Sequence, residues 1–292
     1  MFQIQALCGS CHDVKTPVID TSGNITNNEF PEQMIYSEWQ HSDFSKSETK
    51  ESCQSCHMPL ANGKAKIASR PGFVEERDHF SKHQFVGANT VMLDILQNNS
   101  TTLGLPVSDF SKTIDLTKEM LKSSADLSIE DLQLDNQQLS FNVQLVNKTG
   151  HKFPSGFPSR RAWLHVYESI MVNTENLVNY TLLNSMGYIK DNRLLPRGMD
   201  KNNIPADISV HGNAMTDSNF TASEDTVSYK IDNIPSGSYK VKVTLNYQSI
   251  SYRFATDLFN DKSEHSLIND FKLMYDKARF KHEEVISAEA TL

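Results

Sequence analysis

Cys8-Gly9-Ser10-Cys11-His12 and Cys53-Gln54-Ser55-Cys56-His57 use every cysteine in the chain, in two copies of one five-residue pattern. A C-x-x-C-H run reads as an attachment site for a c-type haem. Two cysteines three residues apart reach the two vinyl groups on one edge of a porphyrin as thioethers. The histidine that follows then reaches the iron from one face. Three other chemistries use paired cysteines. Two C-x-x-C pairs suit a four-cysteine zinc site, a pair of disulfides, or a thioredoxin-like redox motif. Zinc leaves the histidine after both pairs unexplained, and thioredoxin requires a βαβ context that neither pair has. The expectation is two covalently attached haem c groups, with His12 and His57 as the first iron ligands.

A haem iron has a second axial position, and its occupant sets much of the redox behaviour. Eight histidines remain to fill it: His41, His79, His83, His151, His165, His211, His265 and His282. His79 and His83 are spaced i, i+4 and would share a face if their segment is helical. His151 lies in a Gly- and Pro-rich turn after an alternating stretch, Leu139–Val146, and a rigid loop at a strand end suits a fixed ligand. His41, beside the core candidate Trp39, is a reserve. Met34 and Met92 are conceivable thioether ligands but read better as core. Met58, adjoining His57, cannot easily fold back to the opposite face of the same haem. Arg160 and Arg161 suit haem propionates or an exposed strand start.

Three segments carry a family resemblance: Cys53-Gln54-Ser55-Cys56-His57-Met58-Pro59, His83-Gln84-Phe85-Val86-Gly87-Ala88-Asn89, and Gly150-His151-Lys152-Phe153-Pro154-Ser155-Gly156-Phe157-Pro158-Ser159-Arg160-Arg161-Ala162-Trp163-Leu164-His165-Val166. Together they resemble exported bacterial and archaeal multihaem c-type cytochromes of anaerobic respiration, which place a haem region before a β-rich domain. The resemblance covers the chain from about Cys8 to its C-terminal part. It implies that His83 and His151 are the distal ligands. It does not say which iron each one serves.

The chain has 292 residues, 38% hydrophobic and 22% charged, enough for about two ordinary domains. A net charge of −8 argues against a nucleic-acid partner and weakly favours basic redox partners. No run approaches the roughly 18 apolar residues of a membrane-spanning helix. Met1–Leu7 is too short for an export signal, so the expectation is that sequence upstream of this stretch carries it.

The fold class read from the pattern is α+β. Residues 1–125 form a loop- and helix-rich dihaem region, with short helices around Glu32–His41 and Asn89–Gln97 and a linking helix at Ser108–Ser123. Residues 126–255 form an antiparallel, immunoglobulin-like β-sandwich. Its strands are read at Leu127–Leu134, Gln138–Val146, Ala162–Val172, Asp207–His211, Thr226–Ile231 and Ser238–Gln248, from period-2 alternation between turn residues. Residues 256–292 carry a C-terminal helix, Ser266–Ala290, with Leu267, Phe271, Met274 and Tyr275 as its apolar stripe.

Two irons each closed by two histidines favour electron transfer over substrate chemistry. The expectation is an electron carrier and not an enzyme, periplasmic or extracellular, partnered by redox proteins, with other multihaem cytochromes among the candidates and no feature of the sequence that demonstrates self-assembly. A reductase or peroxidase with one open iron, and a docking module working through its β-domain, are the alternatives.

Overall fold

The computed structural model describes residues 4–20, 22–46, 51–78, 80–166, 169–173, 176–177, 188–260 and 265–292. The fold is α+β, built around seven strands in two antiparallel sheets. β5 (Ala125–Asp135), β6 (Gln138–Asn147) and β11 (Glu224–Ile231) form one sheet in the order β11-β6-β5. β7 (Arg161–Val166), β8 (Ser169–Asn173), β12 (Lys240–Gln248) and β13 (Glu283–Thr291) form the other in the order β13-β12-β7-β8. Lettered along the chain, these orders are E-B-A and G-F-C-C′, the strand arrangement of an immunoglobulin-like sandwich. The paired core cysteines of antibody domains have no counterpart here.

Strict alternation makes this sandwich. Leu139, Phe141, Val143 and Leu145 of β6 point inward, each 5% exposed or less. They meet Ala162, Leu164 and Val166 of β7, Val241, Val243 and Leu245 of β12, and Val285 of β13 in one continuous core. Burying such side chains contributes roughly 1.5–3 kcal/mol each. The core also takes in Leu121, from the linking helix α5 (Ser111–Lys122).

The structure corrects four expectations. The stretch read as one C-terminal helix divides: α7 covers Ser266–Lys277, extended backbone at Ala278 stops it, and Glu283–Thr291 pairs with β12 as the last strand. Phe271, Met274 and Tyr275 do pack inward, but Leu267 is exposed. Asp207–His211 is not a strand. Residues Ala206–Ile208 form a 3₁₀ turn, and His211 makes a lone bridge with Asp191. The long strand Ala162–Val172 is two, β7 and β8, paired antiparallel. Finally, the N-terminal region holds an antiparallel hairpin, β1 (Asp13–Ile19) with β2 (Ile25–Met34), whose register shifts hid its alternation.

The remaining helices hold the N-terminal region against the sandwich. A satellite cluster joins Val91 and Ile95 of α4 (Thr90–Asn98), Ala255 of α6 (Tyr252–Phe259) and Tyr275 of α7. Beside it Asp94, fully buried, accepts from the Arg279 backbone N at 2.8 Å and from Arg279 Nε at 2.9 Å.

One sandwich residue reports on pH. Burial, with Asp217 nearby, pushes the carboxyl of Asp225 on β11 up to about 6 from an ordinary 3.8. The folded state therefore holds this proton more tightly than the unfolded chain. Its stabilising contribution is complete below pH 4 and is lost between about pH 4 and 6. Asp225→Asn is expected to stabilise the protein by about 1–2 kcal/mol at pH 7 and by nothing at pH 3.5. Denaturant melts at the two pH values check this, and an equal effect at both would refute it.

Candidate haem site

Both cysteine motifs are helical. The first closes α1 (Ile4–His12) and the second is α3 (Cys53–His57). On a helix, positions i, i+3 and i+4 share one face. Cys8, Cys11 and His12 thus line one side of α1, and Cys53, Cys56 and His57 one side of α3. Ser52 caps α3, its hydroxyl accepting from Ser55 N at 3.2 Å. The cap starts the helix at the first cysteine and so fixes the phase of the motif. Gly9 is demanded by packing: a Cβ there would lie 2.6 Å from the ring of Tyr36 on α2 (Ile35–Gln40). Asp13, directly after His12, accepts from Tyr36 N at 2.9 Å and Ser37 N at 3.1 Å, so the first motif is pinned to α2.

The two motifs are neighbours. α1 packs on α3, and Gln54 Nε2 lies 3.7 Å from Cys8 Sγ. No disulfide joins any of the four cysteines. Burial pushes the Cys53 thiol up to about 11, with Cys8 alongside adding to the shift, and burial raises Cys56 as well.

His57 faces His151. Their ring centres are 6.4 Å apart and their planes differ by 17°. His57 Nδ1 donates to the Val86 carbonyl at 2.6 Å, and His151 Nδ1 donates to the Lys152 carbonyl at 2.8 Å. A carbonyl only accepts, so both rings carry their proton on Nδ1 and keep an Nε2 lone pair for another partner. Burial lowers the His151 pKa, which holds the ring neutral and able to ligate. Two imidazoles bound head-on to one metal ion, each nitrogen about 2 Å from it, have ring centres about 6 Å apart. Among the described residues no three His, Cys, Asp or Glu side chains group to hold a metal ion by themselves. An iron already held by four porphyrin nitrogens would ask the protein for two ligands only, and the separation of the His57 and His151 rings matches that of such a pair.

The loop bearing His151 is held by a buried charge network that sequence reasoning did not find. Glu38 of α2 is fully buried. Its Oε2 accepts from Lys152 N at 3.1 Å and from Ser155 Oγ at 2.6 Å. Arg193 Nη1 lies 3.1 Å from Glu38 Oε1, a charge contact and not an aligned hydrogen bond. Arg193 also donates to Asp191 through Nε at 2.9 Å and Nη2 at 2.7 Å, and Lys152 Nζ donates to Asp191 at 2.7 Å. Burial alone would raise the Asp191 carboxyl, but Arg193 and Lys152 hold it well below the usual carboxylate range. Two cations thus balance two anions. In sequence, Glu38 and Arg193 sit 155 positions apart with nothing between to link them, which is why no spacing rule could pair them.

The loop is also packed from below. A Cβ on Gly150 would meet Trp39 at 3.2 Å and Phe44 at 3.3 Å. Gly156, at φ +90°, lets the Arg160 guanidinium pass where a side chain would stand, and Arg160 donates to the Ser155 carbonyl at 2.6 Å. Arg160 is one of the charges felt by His151. Arg161 is occupied elsewhere, donating to Gln248 and lying 4.7 Å over the Trp163 ring.

The other candidate ligands are dispersed. His83 is exposed, with its ring 5.6 Å from that of Phe85, on the loop whose Val86 carbonyl receives His57. His12 is exposed at the end of α1. His41 Nδ1 bonds the Ser37 carbonyl at 2.8 Å. His79 lies outside the described residues. Met34 is core, as expected, and Met92 packs against the satellite cluster. No described helix is long and apolar enough to cross a membrane.

No family model and no curated protein matches the chain. Among solved structures it is similar to a penta-haem cytochrome c552 from Thermochromatium tepidum. The identity is 15% and the TM-score 0.48, over 99% of this chain and 56% of that one. The chain therefore spans little more than half the length of that protein.

Removing one member of a buried ion network strands its partners. Lys152→Met should cost about 3–5 kcal/mol of folding stability, measured by urea unfolding. A change below about 1 kcal/mol, the range of exposed ion pairs, would show that the network carries no such load.

Proposed function

We propose that this protein is an electron-transfer c-type cytochrome carrying two covalently bound haems. The observation that carries the reading is the facing pair His57 and His151, each with Nδ1 committed to a carbonyl and Nε2 left free. Bound haem supplies a reversible one-electron iron couple. In this reading Cys8 and Cys11 tether one haem with His12 as its proximal ligand. Cys53 and Cys56 tether the other, and His57 and His151 close both axial positions of its iron. His83 is then left for the iron at His12.

Bis-histidine closure leaves no position for a substrate and favours outer-sphere electron transfer at low potential. The adjacency of Cys8 to Gln54 and Cys53 supports short passage between the two haems, because it brings their tethered edges together. Arg160, beside His151, is suited to a propionate. The net charge of −8 suits a basic face on a redox partner, including another multihaem cytochrome. Covalent attachment of this kind takes place outside the cytoplasmic membrane, so the reading carries a periplasmic or extracellular location with it.

The test is the protein matured with c-type haem attachment. Intact mass should rise by two haems, and the pyridine haemochrome should survive acid–acetone extraction. The ferrous spectrum should be low-spin and unmoved by carbon monoxide. His151→Ala should keep both haems by mass but let carbon monoxide bind one of them, and His83→Ala should open the other. A colourless zinc protein, or a parent that binds carbon monoxide at both irons, would overturn the proposal.

A further inference from the structure

Glu38 belongs to the N-terminal haem region, whereas His151 belongs to the sandwich. Nothing in the chain connects them locally: 113 positions separate the two. Yet a single carboxylate oxygen of Glu38 takes the Lys152 backbone N–H and the Ser155 hydroxyl together. The carbonyl of the same residue, Lys152, is the acceptor that orients His151. The backbone of Lys152 is therefore held from one side by Glu38 and used on the other side to aim the imidazole.

Among the described residues, every other hydrogen bond to this loop comes from the sandwich side or from its own turns. Asn147, at the end of β6, donates to the His151 carbonyl at 2.8 Å and to Leu194 at 3.0 Å. Phe153 exchanges two backbone hydrogen bonds with Leu194, both at 2.9 Å. Trp39 and Phe44 touch Gly150 from the N-terminal side, but through apolar contact that sets distance and not direction. Glu38 is the directional contact from the region that also holds the second cysteine motif.

We propose that Glu38 is a positioning residue that holds His151 in line with His57, so that the distal ligand of one haem is registered across the junction between the two halves of the protein. This rests on the reading of His57 and His151 as one axial pair. Glu38 does not touch the iron. Its charge serves the network with Arg193 and Lys152, and its hold on His151 works by reach, through the Lys152 backbone. Residues behind a metal ligand of this kind typically alter metal affinity 10- to 100-fold when removed.

Two variants separate reach from charge. Glu38→Asp keeps the charge beside Arg193 but, one methylene shorter, cannot span to both Lys152 N and Ser155 Oγ. Glu38→Gln keeps the reach and an accepting oxygen while removing the charge. Both are matured with haem, checked for two haems by mass, and titrated with carbon monoxide in the ferrous state, below their melting temperatures. The expected result is that E38D, unlike the parent, binds carbon monoxide at one of its two haems. E38Q should lose folding stability, because the network loses an anion, yet stay low-spin and closed while folded. If E38Q opens as E38D does, or if neither opens, or if only E38Q opens, Glu38 is not a positioning residue. His151→Ala runs alongside. If that variant also excludes carbon monoxide, the axial pairing itself is wrong, a failure distinct from that of Glu38.

Discussion

The buried exchange among Glu38, Lys152, Asp191 and Arg193 is the constraint on which the arrangement of the molecule depends. It brings together α2, the loop after β6 and the segment before the 3₁₀ turn at Ala206–Ile208, three parts with no local reason to meet. An isolated charge among them would be intolerable away from water, so no member can enter without the others. A balanced network of this type adds little net stability over an apolar substitute. What it contributes is register: the packing of the two halves seen here brings all four charges together at once.

That register matters because the site is divided between the halves. His57 stands on a five-residue helix and borrows the Val86 carbonyl to set its tautomer. His151 stands on a loop of the immunoglobulin-like sandwich and borrows the Lys152 carbonyl. Neither element could supply both rings. The apolar contacts of Trp39 and Phe44 against Gly150, and the Asp94–Arg279 pair further out, press the halves together. They leave the angle between them to the polar contacts.

How much of this was legible in the sequence follows the range of each interaction. The cysteine motifs are local, and their helical phase follows from five consecutive residues. The sandwich strands announce themselves by alternation, as in Leu139-Ser140-Phe141-Asn142-Val143, because one face meets the core and the other water. Where burial is weaker the signal fades. Glu283–Thr291 buries only Val285 deeply, so its pattern merged with the helix before it. The β1–β2 hairpin carries register shifts at Val14/Lys15 and Pro17/Ile19, which break period 2. The pairing of His151 with His57 was not legible, since the two stand 94 positions apart and only the folded sandwich closes that distance.

The same division explains why the loop around His151 is so heavily buried. Lys152, Phe153, Ser155 and Ser159 are all 7% exposed or less, unusual for a turn rich in Gly and Pro. A ligand histidine on a mobile loop would exchange with water or small ligands whenever the loop opened. Here opening the loop means exposing Lys152 and Asp191 unpaired from Glu38 and Arg193, which the low dielectric of the interior opposes. The cost of moving the histidine is thus the cost of breaking the network. On the function proposed above, an iron that changes charge and returns to one geometry needs that kind of stiffness, and four buried ionic side chains supply it.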